Sequence, residues 1–212
     1  MSILSRNRIV IDSPNDPISN AYLNISERIK YYTGSEKKVL LFMSSKDKDG
    51  KSTVATNVAI SLAKLGGRVV YLDADFDNPS IHETFDMEMR KGVSDAILND
   101  ENISYMIYDT AVYGLSIILA GTEKDDTGMV LLSNKFKYLT RTLKNSFDYC
   151  ILDISSKYNE DVYMDALKEF VDGVILIDNK SRDNKEIESL VQLVEKHDIE
   201  VIGVVNNMEK SE

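Results

Sequence analysis

The 212-residue chain is 43% hydrophobic and carries 25 Lys+Arg against 35 Asp+Glu, a formal net charge of −10. That is enough apolar material for the core of one α/β domain, and the acidic balance argues against a broad nucleic-acid surface, which needs clustered cations. Its one cysteine, Cys150, excludes an internal disulfide framework and a paired-cysteine metal site, and no run approaches the ~18 apolar residues that a membrane span needs.

The opening Met1-Ser2-Ile3-Leu4-Ser5-Arg6-Asn7-Arg8 lacks the apolar core of a signal sequence, which with the single cysteine points to a cytoplasmic protein. Ser13-Pro14-Asn15-Asp16-Pro17 is turn chemistry, with Pro17 suited to the first position of a helix. Ile18, Tyr22, Ile25, Ile29 and Tyr32 then recur at helical steps and make one apolar stripe. Residues 1–35 therefore read as an N-terminal segment and helix packing on the core or on a partner subunit, and 36–212 as the main domain. A buried strand over 39–43 runs into a polar turn, a helix over 52–65 and a strand over 69–72 that ends at Asp73. Strand, helix, strand in about 35 residues is a βαβ unit. A strand over 115–119 follows, then a helix over 129–147 with Leu131, Leu132, Phe136, Leu139 and Leu143 on one face. Strands over 149–153, 173–177 and 200–205 alternate with helical stretches near 158–170 and 184–197. Such near-continuous apolar strands predict an α/β fold, a parallel sheet flanked by helices on both faces.

The chemistry is concentrated where the first of these strands ends. Ser44-Ser45-Lys46-Asp47-Lys48-Asp49-Gly50-Lys51-Ser52-Thr53 reads as a phosphate-binding loop, with Ser45 where the pattern G-x-x-x-x-G-K-[ST] has glycine. In such a loop the backbone N–H groups and the helix N-terminus face a β-phosphate, Lys51 reaches the β- and γ-phosphates, and the Ser52 hydroxyl is a ligand for Mg²⁺. Asp49, Gly50, Lys51, Ser52 and Thr53 are the candidate nucleotide contacts within the loop. Two further strands end in carboxylates, and a parallel sheet aligns those ends along the edge where ligands of open α/β folds bind. Ser52, Asp73 and Asp153 form a candidate Mg²⁺ set, directly or through water. Asp75 is the candidate base for an attacking hydroxyl, with Lys51 and Asp73 as its catalytic partners. Each Asp taken alone has a plainer reading as a turn former or helix cap.

In this order, the loop, then Tyr71-Leu72-Asp73-Ala74-Asp75-Phe76-Asp77-Asn78-Pro79, then Tyr149-Cys150-Ile151-Leu152-Asp153, the chain resembles the Walker A, Walker A′ and Walker B series of the bacterial tyrosine kinases of capsule and exopolysaccharide synthesis. These are P-loop ATPases related to the partition and septum-site ATPases. Gly92-Val93-Ser94-Asp95-Ala96-Ile97-Leu98, Leu119-Ala120-Gly121-Thr122 and Gly203-Val204-Val205-Asn206-Asn207 are also similar to family segments. The resemblance implies a P-loop NTPase architecture, ATP and Mg²⁺ as ligands, and phosphorylation of tyrosine on the protein itself and on enzymes of sugar-nucleotide metabolism. It implies a partner too, a transmembrane polysaccharide co-polymerase whose cytosolic tail activates the kinase and recruits it to the inner face of the membrane. By the same resemblance Asn207 lies near the adenine, against the plainer reading of an Asn that caps a turn. Lys46 falls where the partition ATPases place a signature lysine that reaches phosphates, so the resemblance adds it to the candidate nucleotide contacts, against the plainer reading of a solvated loop lysine.

The sequence departs from that family at functional positions. Asp47, Lys48 and Asp49 stand where it has Pro-Gly-Glu, Asp77 where it has arginine, and Ile154-Ser155-Ser156 where Walker B runs into prolines. Asn20, Leu23 and Ser26 replace the Glu and two Arg that pair between subunits of a ring, so self-association of that kind lacks its motif. The chain runs out at Met208-Glu209-Lys210-Ser211-Glu212, with Tyr163 its last tyrosine, so Tyr31, Tyr32, Tyr105 and Tyr108 become the candidate acceptors. Three readings follow: an ATP-dependent tyrosine kinase, a degenerate nucleotide-binding regulatory subunit, and a partition-type ATPase.

Overall fold

The computed structural model describes residues 8–34, 36, 38–124, 127–179 and 184–207. The opening residues 1–7 and the run 208–212 lie outside the described residues. In chain order the elements are α1 (Ile9–Asp12), α2 (Pro17–Thr33), β1 (Lys38–Ser44), α3 (Lys51–Lys64), β2 (Val69–Ala74), α4 (Ile81–Thr84), α5 (Val93–Leu98), a 3₁₀ turn (Ile103–Met106), β3 (Tyr108–Asp109), β4 (Leu115–Ile118), α6 (Thr127–Leu132), α7 (Asn134–Ser146), β5 (Tyr149–Ile154), a 3₁₀ turn (Ser156–Tyr158), α8 (Asp161–Leu167), β6 (Gly173–Asn179), α9 (Asn184–Lys196) and β7 (Val201–Asn207).

The strands make one sheet in the order β3-β4-β2-β5-β1-β6-β7, parallel throughout except for the short antiparallel β3/β4 pair. Successive residues of its inner strands alternate between two buried layers, which is why those strands are apolar without a break. Leu40, Phe42, Tyr71 and Ile151 pack against α2 and α3, whereas Leu41, Leu72, Leu152 and Leu176 pack against the helices of the second half. The predicted α/β architecture and the six expected strands are therefore present in the molecule, and the short antiparallel edge strand β3, two residues long, is an addition that no sequence period displays.

Three further local features differ from the expectation. Ile9–Asp12 is helical and buries Val10, whose N–H donates to Asn57 Oδ1 at 3.0 Å, in a stretch where four residues are too few to display a period. The helix expected over 129–147 is two: Ser133 is extended, and its hydroxyl accepts from the Phe136 N–H at 3.1 Å, capping α7. The buried face of α2 is Ser19, Tyr22, Ser26, Ile29 and Thr33, one step round from the apolar stripe. Small Ser26 lets α2 approach α3 closely and donates to the Val58 carbonyl at 3.3 Å.

Candidate nucleotide site

The loop between β1 and α3 is shaped by two left-handed residues. Gly50, at φ 86°, caps α3, and Lys48, at φ 66°, occupies the place where the resembling family has glycine. Lys51 opens α3 and points into the C-terminal edge of the sheet, where it is only 6% exposed. Its ammonium pairs with Asp153 Oδ1 at the end of β5 and lies 3.8 Å from Asp75 Oδ2 just beyond β2. Lys51, Asp75 and Asp153, picked from three separate segments, thus meet in one cluster, and Asp73 faces Asp153 in register across β2 and β5.

The carboxylates differ in surroundings. Asp73 accepts from the backbone N–H groups of Asp75 at 3.1 Å, Ser80 at 3.2 Å and Ile81 at 3.3 Å, so it shapes the turn into α4 as well as facing the site. Burial above all, and then the neighbouring Asp153, push its pKa up to about 7. Asp75 accepts from the Asn78 N–H at 3.1 Å; burial raises its pKa, with Lys51 pulling the other way. The Tyr71 hydroxyl donates to Asp153 Oδ2 at 2.6 Å, and burial holds that phenol well above its ordinary value. Tyr71 escaped the sequence reading because a tyrosine inside an apolar strand looks like core.

The two loop aspartates are engaged within the fold. Asp49, 1% exposed, accepts from the Lys46 N–H at 3.0 Å and from Asn179 Nδ2 at 3.2 Å, while its carbonyl accepts from Asn207 Nδ2 at 2.8 Å. Asp47 accepts from the Ser156 hydroxyl. Asn207 thus tethers the loop to β7, and the Lys46 ammonium pairs with Glu186 on α9. Asp77, where the family resembled has arginine, pairs with Lys157, a cation four residues past Asp153 that the motif comparison did not reach. Ser52 and Thr53 form the first turn of α3, half-buried beside Lys51.

Two other segments singled out in the sequence serve the scaffold. The Asp95 carboxylate accepts from the Gly92 N–H at 2.9 Å, the Thr122 N–H at 2.8 Å and the Thr122 hydroxyl at 2.6 Å, joining α5 to the loop after β4. A Cβ at Gly121, where φ is +107°, would lie 2.3 Å from Ser94 Oγ, so that joint requires glycine.

The donor set fits Mg²⁺. Two buried carboxylates in register, with the hydroxyl-bearing start of a phosphate-loop helix, are hard oxygen donors, and the burial and then the Asp153 charge that raise the Asp73 pKa both disfavour its anion, which a bound cation would offset.

Comparison with known proteins places the chain in a defined setting. The ParA family model, described as "NUBPL iron-transfer P-loop NTPase", matches residues 35–212. Tyrosine-protein kinase CpsD of Streptococcus agalactiae serotype III is 26% identical over 190 residues, covering 88% of this chain and 81% of that protein. Among solved structures, the chimerical protein CapA2B2 is similar at a TM-score of 0.87 and 25% identity, over 96% of this chain and 91% of the other. The septum-site-determining protein MinD of Pyrococcus horikoshii, complexed with Mg-ADP, shares the fold at a TM-score of 0.67 and 19% identity, over 83% of this chain and 72% of that one.

Proposed function

The chain belongs to the ParA-type P-loop NTPases, alongside bacterial tyrosine kinases of capsule and exopolysaccharide synthesis, and we propose that it binds Mg-ATP at the Lys51 loop and transfers the γ-phosphoryl group to tyrosine. The observation that carries this reading is the convergence of Lys51, Asp75 and Asp153 at one buried point of the sheet edge. The iron transfer in the description of the family model is not the reading favoured here: cluster chemistry needs thiolates, and the one thiol, Cys150, lies in the core with burial pushing its pKa up to about 12.

On nucleotide binding, Lys51 exchanges Asp153 Oδ1 for β- and γ-phosphate oxygens, while the loop N–H groups and the start of α3 receive the β-phosphate. Mg²⁺, held by Ser52 with Asp73 and Asp153, supplies charge neutralisation at the phosphate oxygens. Asp75 receives the tyrosine proton as the phenol oxygen bonds to the γ-phosphorus and the bond to the bridging oxygen breaks, the electron pair leaving with ADP. Its raised pKa makes it a stronger base than an ordinary surface carboxylate. The Asp77–Lys157 pair keeps a cation beside Walker A′, in exchanged positions relative to the family's arginine. A membrane-embedded co-polymerase with a cytosolic activating tail is the partner we propose. Among the described residues no helix is long and apolar enough to cross a membrane.

The test is calorimetric titration with Mg-ADP and Mg-ATP, followed by phosphotyrosine detection in the presence of a cytosolic activator segment. Lys51→Met should abolish binding, whereas Asp75→Asn should leave the affinity within about threefold and reduce transfer by 10²-fold or more, on the order expected for loss of a positioned base. Binding by wild type without transfer would replace the kinase with the regulatory-subunit reading. Full transfer in Asp75→Asn would remove Asp75 as the base.

A further inference from the structure

Beside the loop, Ser45, Lys46, Asn159, Glu186, Leu190 and Leu193 line a cavity of about 300 Å³. Its polar groups are unbalanced. Glu186 Oε1 pairs with the Lys46 ammonium, but Glu186 Oε2 is buried with no hydrogen-bond partner. Asn159 Oδ1 is likewise buried and unpartnered, and the orientation of that amide is fixed: its Nδ2 donates at 2.8 Å to the Ser44 carbonyl, which has no proton to give to Oδ1. Buried acceptors are almost always satisfied in folded proteins, so two orphans around one cavity call for a ligand rich in N–H donors.

We propose that this cavity receives an arginine side chain from a basic segment of a different protein, and that its entry draws Glu186 away from Lys46. A guanidinium presents five N–H donors in one planar fork and can serve an amide oxygen and a carboxylate oxygen together, which a point-like ammonium does less well. Leu190 and Leu193 offer apolar surface to its methylene stem. The net charge of −10 disfavours a second copy of this chain as the occupant and favours a cationic segment. The consequence for the loop is direct. Lys46 is anchored at its N–H by Asp49, so an ammonium released from Glu186 stays at the phosphate loop as a free cation.

The inference requires neither nucleotide nor phosphoryl transfer and stands apart from the kinase reading. Its test uses the ¹⁵N-labelled full chain, titrated with an acetylated Gly-Arg-Gly amide and, separately, with the citrulline analogue, the same shape without the charge. The arginine peptide should shift the Asn159 side-chain amide signals saturably, and the citrulline peptide should not. Glu186→Gln should weaken binding by about threefold or more, on the order expected for loss of a partly exposed ion pair. Asn159→Ala should weaken it as well. Acetylation of Lys46, followed by mass spectrometry, should speed up severalfold when the arginine peptide is bound. Equal shifts with citrulline, an unchanged affinity in Glu186→Gln, or the absence of a saturable shift would overturn the proposal.

Discussion

Asp73 shows how one side chain ties stability to the chemistry of the edge. Its carboxyl is pushed from 3.8 up to about 7, first by burial and then by Asp153. The native state therefore keeps a proton that the unfolded chain releases above about pH 4, so this group's contribution to stability falls as pH rises from about 4 to about 7. At 1.36 kcal/mol per unit, three units set a ceiling on the order of 4 kcal/mol. Asp75, also raised by burial, adds in the same direction. The nucleotide-free protein should accordingly melt at a higher temperature near pH 5.5 than near pH 7.5, with the difference much reduced in Asp73→Asn. An undiminished difference in that variant would remove Asp73 as the source. Metal affinity should run the opposite way, since Mg²⁺ favours the ionised carboxylate, and should grow between about pH 6 and pH 8.

At the level of the element, the phosphate loop carries its own cost at Lys48, a residue with a Cβ held at φ 66°. A left-handed conformation costs such a residue roughly 1–2 kcal/mol. Lys48→Gly should recover about 1 kcal/mol of that, less than the full strain because glycine also loses more freedom on folding, and raise Tm by roughly 2–4 °C. An unchanged or lowered Tm would place the strain elsewhere. The loop also marks where sequence stops being readable. Its place between β1 and α3, and the strand-end Asp73 and Asp153, follow from apolar runs that end in polar turns, and those were legible. What Asp49 does was not, because beyond Lys46 in its own loop its partners are Asn179 and Asn207 at the ends of two distant strands, which no local pattern joins to it. The same holds for α2, where the helix was legible and its inward face was not. Ser19 and Ser26 are buried because small side chains let helices approach, whereas a hydrophobic stripe records only large ones. Of the positions where the resembling family pairs subunits, Asn20 is exposed and Leu23 half-buried, but Ser26 lies against α3, so that face cannot pair subunits through all three.

The whole molecule sets which tyrosines a kinase of this shape can modify. The groups proposed to react lie past the C-terminal ends of β1, β2 and β5, and Lys51 and Asp75 are largely buried there, so in the proposed reaction an acceptor must project into a recess. Of the candidates from sequence, Tyr32 bonds to Glu200 and Tyr108 donates to the Lys91 carbonyl at 2.9 Å, which anchors both. Tyr31 and Tyr105 are 91% and 83% exposed, and Tyr113 and Tyr138, which sequence did not single out, are 98% and 74% exposed. Tyr31 sits near the end of α2 just before β1, and Tyr113 in the turn just before β4, so both lie at the N-terminal edge of the sheet, opposite the site. Phosphorylation of either must pass between molecules. Mixing active protein with Lys51→Met protein should therefore place phosphotyrosine on the inactive chain, at a rate that rises with total concentration. Mass spectrometry should find the phosphate on this exposed group and never on the buried Tyr22, Tyr71, Tyr149 or Tyr158. Transfer confined to the active chain and independent of concentration would mean that the acceptor lies within reach of its own nucleotide, and the two N-terminal-edge tyrosines would then be excluded.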